Sequence, residues 1–124
     1  MGNDVENDLG RTGEELAAQH LLRLGFQIVE RNYRTRWGEL DIVARAGSTL
    51  AFCEVKTRRA GGQAGGPLDA VGRDKQMRVR KMAGSWLMER RDRPYADVIR
   101  FDAIGVTVDA CGRLLSLEHL EGAF

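Results

Sequence analysis

Between Gly38 and Arg58 the sequence runs GELDIVARAGSTLAFCEVKTR, two apolar segments joined by the short turn Ala46, Gly47, Ser48. Runs of this kind around a glycine turn predict an antiparallel hairpin, with strands at about Glu39 to Arg45 and Thr49 to Thr57. Four charged residues interrupt it: Glu39, Asp41, Glu54 and Lys56. Residues two apart share a strand face, so Glu39 stands with Asp41, and Glu54 with Lys56. If the register joins those faces, three carboxylates converge beside one ammonium.

Crowded carboxylates repel one another and resist leaving water, so each needs a partner. A divalent cation serves all three, and an oxygen-only ligand set suits Mg²⁺ or Mn²⁺ rather than zinc. A lysine two residues beyond a metal-binding glutamate can orient water or stabilise charge developing on a phosphate. Lys56 is one of only 3 lysines among the 19 basic residues. Arginine cannot give up its proton, so a lysine kept here is informative. The competing explanation is a solvated hairpin face whose charges form surface ion pairs.

The rest of the chain frames this hairpin. TGEELAAQHLLRLG places Leu16, Ala17, Leu21 and Leu24 at helical spacing, with a Thr12 to Glu15 capping box and Gly25 as the stop. The expected start lies between Asp8 and Thr12, with residues 1–8 disordered. FQIVERNYR reads as a first strand. The glycine-rich 59–66 stretch is expected to be a mobile loop. DKQMRVRKMAGSWLMERR follows as an amphipathic helix presenting Val79, Met82, Ala83, Trp86 and Leu87 on one face. Strands at Ala96 to Val108 and Leu114 to Leu120 complete an α-β-β-β-α-β-β order. The expectation is one α/β domain over 1–124, a central mixed five-stranded sheet flanked by helices.

Composition narrows the partners. Net charge is +1, but residues 73 to 93 concentrate bases, so a basic face is compatible with a near-neutral total. Two cysteines make no framework: Cys53 reads as a buried small hydrophobe and Cys111 as an exposed loop thiol. His20 and His119 show no zinc spacing. No apolar run has membrane-spanning length, and the acidic, polar N-terminus does not read as a secretory signal, so no membrane partner and a cytoplasmic location are expected.

An acid on a first helix, an aspartate on a following strand and Glu-x-Lys on the next resemble the PD-(D/E)XK nuclease superfamily, especially its Holliday-junction-resolvase-like branch. More closely, GRTGEELAAQHL, RNYR, GELDIVA, LAFCEVKTR, the Gly66 to Val71 turn, Lys75 with Ala83 and Trp86-Leu87, RFDAI and HLEGAF together resemble the YraN family of small bacterial proteins. These pieces extend from Gly10 to Phe124. The resemblance implies a restriction-endonuclease-like fold and a metal-dependent endonuclease acting on DNA, branched or structured DNA included. It implies Glu14, Asp41 and Glu54 as ligands of Mg²⁺ or Mn²⁺, and Lys56 as the catalytic lysine. Glu39 is then a supporting group or added ligand, Gln76 a helix residue facing the site, and Glu15 a capping residue. Asp102 reads equally as structural. Leu40 stands where the superfamily often has proline.

Phosphate contacts are expected from Arg31, Arg34, Arg36, Arg58 and Arg59, and from Lys75 and Arg78 on the second helix. Cutting branched DNA favours a symmetric homodimer. Two alternatives stand beside the enzyme: a nucleic-acid-binding module that keeps the nuclease fold without turnover, and an interaction protein that acts through a protein partner.

Overall fold

A computed structural model describes the backbone of residues 2–61 and 72–124, with side chains from Asp8 onward. The order is α1 (Gly2–Arg23), β1 (Gln27–Thr35), β2 (Gly38–Ala46), β3 (Thr49–Arg59), α2 (Arg73–Glu89), β4 (Val98–Val108) and β5 (Leu114–Leu120). The strands form one sheet in the order β1-β2-β3-β4-β5. Neighbours are antiparallel except β3 and β4, which run parallel. A parallel pair needs a crossover, and α2 lies within it. The mixed five-stranded α/β sheet matches the sequence expectation.

The two helices cover opposite faces, because successive strand residues point to opposite sides. Ala51 and Cys53 of β3 join Ala17, Ala18 and Leu21 of α1 in one core, together with Ile42, Ile104 and Val106. Leu50 and Phe52 join Val79, Met82, Ala83 and Trp86 of α2 in the other. The Trp86 ring meets Phe52 edge-on at 5.6 Å. Its indole N–H donates to Glu30 at 2.8 Å, and Arg90 holds the same carboxylate through two bonds of 2.8 Å. The largest fully buried side chain therefore keeps its polar atom satisfied.

Helix α1 departs from expectation at both ends. It begins at Gly2, so backbone expected to be disordered is helical and the Thr12 capping box is not its start. Leu9 packs against the α1-side core one heptad before Leu16, which extends the apolar stripe upstream. At the other end Leu24 is exposed while Ala18 is buried. Leu24 falls beyond Arg23, in a Schellman turn where Phe26 N–H reaches Leu21 O at 2.9 Å and Gly25 N–H reaches Leu22 O at 3.0 Å. Gly25 takes φ +95° there, as its role of helix stop requires.

Gly13 fixes how α1 meets β3. A methyl group at its Cα would come within 1.6 Å of Thr57 Oγ1, so only glycine lets the helix approach so closely. The next residue on that helix is Glu14. Of the expected mobile loop, Arg59 closes β3 and Ala60 and Gly61 form a turn, while 62–66 lies outside the described residues, as does the Gly66 to Val71 turn.

Candidate active site

The β2–β3 ladder runs from Ala46↔Thr49 to Ile42↔Cys53, and no partners are paired beyond it. Instead, Asp41 Oδ2 accepts the Val55 N–H at 2.8 Å, so a side chain replaces the next rung. Face alternation breaks at the same point. Ile42 belongs to the α1-side core, yet Leu40, two residues earlier, belongs to the α2-side core. On the neighbouring strand Asn32 adopts φ +56°, the left-handed region that asparagine tolerates better than most residues. A cleft of about 500 Å³ lies here, lined by Glu14, Glu39, Asp41, Lys56, Thr57 and Lys75, among others.

Glu14, Glu39 and Asp41 each place a carboxylate oxygen within 4.8 Å of the other two. Asn32 ties two of them together, its amide donating to Glu14 Oε1 at 2.7 Å and to Glu39 Oε1 at 2.9 Å. Glu39 also meets Arg34 at 3.2 Å, and Arg34 is largely solvent-exposed. Glu54 is buried, with Oε1 2.6 Å from Lys75 Nζ. The structure thus gathers Glu14 and Asp41 as expected, puts Glu39 directly among them, and sets Glu54 against a lysine of α2.

Burial, Glu54 and Glu14 push the Asp41 carboxyl up to about 8, against a lowering by the Val55 N–H and by Lys75. Burial likewise raises Glu14, opposed by the Asn32 amide and reinforced by Glu39. Such groups sit as acids in a field of acids. Lys56 is exposed and lines the same cleft.

The other expected contacts scatter around this centre. Lys75 lines both the cleft and an adjoining cavity of about 250 Å³ that Trp37, Arg78 and Met82 also border. Gln76 stands beside Lys75 in the first turn of α2. Arg36 stacks over Trp37 at 4.6 Å. Arg31 is bound to Glu15 at 2.9 Å, so Glu15 pairs with a strand rather than capping a helix. Arg58 and Arg59 continue β3 beyond the cleft, opposite Thr107 and Val108.

Sequence reading missed Asn32 and the Lys75–Glu54 pair. For Asn32 the only available signal was an asparagine between Arg31 and Tyr33 in a strand. It also missed a second polar centre: buried Asp102 accepts from Arg100 at 2.8 and 2.9 Å and from Gly122 N–H at 3.0 Å, and it lies 2.8 Å from His119 Nε2. His119 Nδ1 lies 3.0 Å from His20 Nε2. A separation of 99 residues hid that contact.

The profile of the uncharacterised protein family UPF0102 matches residues 13–106, which include the whole carboxylate cluster. The chain belongs to the UPF0102 family. A family protein of Parafrankia sp. is 48% identical over 97% of this chain and 98% of its own length. One from Frankia alni is 44% identical over the full length of both chains, and one from Streptomyces griseus is 47% identical over 92% of this chain and 93% of its own. Membership bears out the YraN resemblance and is silent on chemistry. Among the described residues no helix is long and apolar enough to cross a membrane.

Proposed function

We propose that this chain is a metal-dependent phosphodiesterase that cuts DNA. The observation that carries this reading is the convergence of Glu14, Glu39 and Asp41 within 4.8 Å, in a cleft shared with Lys56. The donors fit Mg²⁺ or Mn²⁺: all are oxygens, they come from α1 and β2, with Gly13 seating α1 against the adjoining β3, and Asp41 is held in a site that disfavours its charge without a cation. Glu14, Glu39 and Asp41 would hold the ion, with Glu54 beside them. When bound, such an ion supplies Lewis-acid polarisation of a phosphoryl oxygen and a more acidic water.

The chain's own groups do the rest. Asn32 fixes the orientation of Glu14 and Glu39, and the Val55 N–H fixes that of Asp41. Lys56 stabilises charge developing on the phosphate and positions the attacking water. Arg34, Arg36 and Arg78, close to the cleft, offer backbone phosphate contacts that orient the strand without reading sequence. Binding is accordingly salt-sensitive and weakly sequence-selective.

One observation favours a second reading, binding without turnover: Glu54 is already neutralised by Lys75 at 2.6 Å. Cleavage of labelled linear, single-stranded and four-way-junction DNA with Mg²⁺, Mn²⁺ or EDTA separates the two. The enzyme reading predicts metal-dependent cutting that is lost in Asp41→Asn and Lys56→Ala. Equal, metal-independent binding by all three proteins, with no cutting, would establish the binding module instead.

A further inference from the structure

Beyond the C-terminus of α2 the chain runs RRDRPYA, and it borders a further recess of about 310 Å³, lined by Arg91, Arg93, Pro94, Tyr95, Ala96 and Ile99. Among the described residues no acid lines it. Its floor is apolar, since Ala96 packs against the α2-side core and Ile99 lies beside it, partly exposed. Tyr95 is 79% exposed, whereas Tyr33, the chain's packing tyrosine, is 7% exposed. Arg93 is fixed at the end of α2, donating to the carbonyls of Leu87 at 2.9 Å and Arg90 at 3.2 Å. Arg91 is exposed and has no hydrogen bond or ion pair among the described residues. An open aromatic ring beside an unpaired guanidinium fits a ligand that carries both a flat ring and an anionic group.

We propose that this recess holds an unpaired nucleotide of single-stranded DNA, its base stacked on Tyr95 and its phosphate paired with Arg91. The proposal rests on the DNA reading above and names the part of the substrate that reading leaves open. A base inside a duplex has both faces covered by its neighbours, so only an unpaired base offers one to Tyr95. The position suits a strand that also enters the carboxylate cleft. Ile99 pairs with Leu50, whereas the cleft reaches Val55 and Lys56 on the same strand. At about 3.3 Å per residue the two sites lie roughly 17 to 20 Å apart along β3, a span of about five or six stacked nucleotides at about 3.4 Å each. Between them α2 exposes Arg73 and Lys81 and holds Arg80 over the Phe101 ring. Of the acids on α2, Asp74 lies in the first turn and Glu89 is engaged by Tyr33 and Arg90. The path from cleft to recess is therefore basic, and the substrate it suits is DNA with an unpaired arm near the cut.

Fluorescence anisotropy in EDTA tests this with a labelled single strand, the blunt duplex of the same sequence and a labelled mononucleotide, using Tyr95→Ala, Tyr95→Phe and Arg91→Ala. Native protein should bind the single strand more tightly than the duplex or the mononucleotide. Tyr95→Ala and Arg91→Ala should each weaken single-strand binding about tenfold, and Tyr95→Phe, which keeps the ring, should bind like the native chain. Duplex binding should be unchanged in Tyr95→Ala, which shows that the fold is intact. Tyr95→Ala that binds the single strand like the native chain, Tyr95→Phe as weak as Tyr95→Ala, or native protein that does not prefer the single strand would each overturn the proposal. A mononucleotide bound as tightly as the strand would also overturn it and assign the recess to a free nucleotide. Without metal the result is independent of the carboxylate cluster: a chain that shows the expected pattern and cuts nothing keeps the recess and loses the nuclease reading.

Discussion

Asp41, half-buried, and Asp102, fully buried, are both aspartates on inner strands of the sheet, yet their surroundings are opposite. Asp102 is satisfied by Arg100, His119 and Gly122, and although burial raises its carboxyl, these bonds outweigh that and hold it below the ordinary range. Asp41 has one backbone N–H and the carboxylates of Glu14, Glu39 and Glu54 near it, and with Lys75 offsetting only part of the effect its carboxyl rises to about 8, chiefly through burial. A carboxylate kept for stability collects donors; one left among other acids is poised to take a cation. On the proposed reading, the difference separates a structural acid from a metal-binding one without reference to relatives.

The largest effect should come from removing the satisfied acid. Asp102→Ala leaves Arg100 and His119 without their shared partner and should cost about 3 kcal/mol in urea unfolding, at the low end for a buried pair because Arg100 is partly exposed. A cost near zero would break the contrast. Gly13→Ala should cost about 2 kcal/mol, because α1 must lift from Thr57, and should weaken metal-dependent activity by displacing Glu14. Pairing it with Thr57→Ala should return part of both losses.

Asp41→Asn should act in the opposite direction from Asp102→Ala. It removes a crowded charge, keeps an oxygen for the Val55 N–H, and should stabilise the metal-free protein by about 1 kcal/mol while abolishing cutting. The pH dependence follows from the same signs. Asp41 binds its proton more tightly folded than unfolded, so in EDTA stability should fall as pH rises from about 4 towards 8, and Asp41→Asn should flatten that slope. Asp102 contributes stability above its unfolded value near 4, which is lost as pH falls through its lower folded value. Unfolding midpoints followed across pH for both proteins would sharpen the comparison.

The fold was legible wherever a short pattern decides structure. The turn at Gly47, the period-two strands, the Val79 to Trp86 stripe and the stop at Gly25 are each set by neighbours in sequence. The site was legible in part, because Asp41 and Glu54 to Lys56 lie on one hairpin and strand periodicity relates their faces. It failed where alternation breaks: the ladder ends at Ile42, Leu40 changes sides, and Glu54, expected to converge with Glu39 and Asp41, is held by Lys75 instead. Asn32, Lys75 and the His20–His119 contact depend on distant elements meeting, which no local periodicity encodes. The early start of α1 was missed because a capping pattern at Thr12 was read as an end, when Leu9 continues the buried face.

Manganese binding tests the central claim most directly. Titrating Mn²⁺ into EDTA-stripped protein, with Asp41→Asn and Glu14→Gln alongside, isolates the cluster from any question of substrate. The account predicts saturable binding by the native chain that is lost in both variants while their folds are retained. Native binding no stronger than that of Asp41→Asn would contradict it, and Glu14, Glu39 and Asp41 would then be a solvated acidic pocket rather than a metal centre.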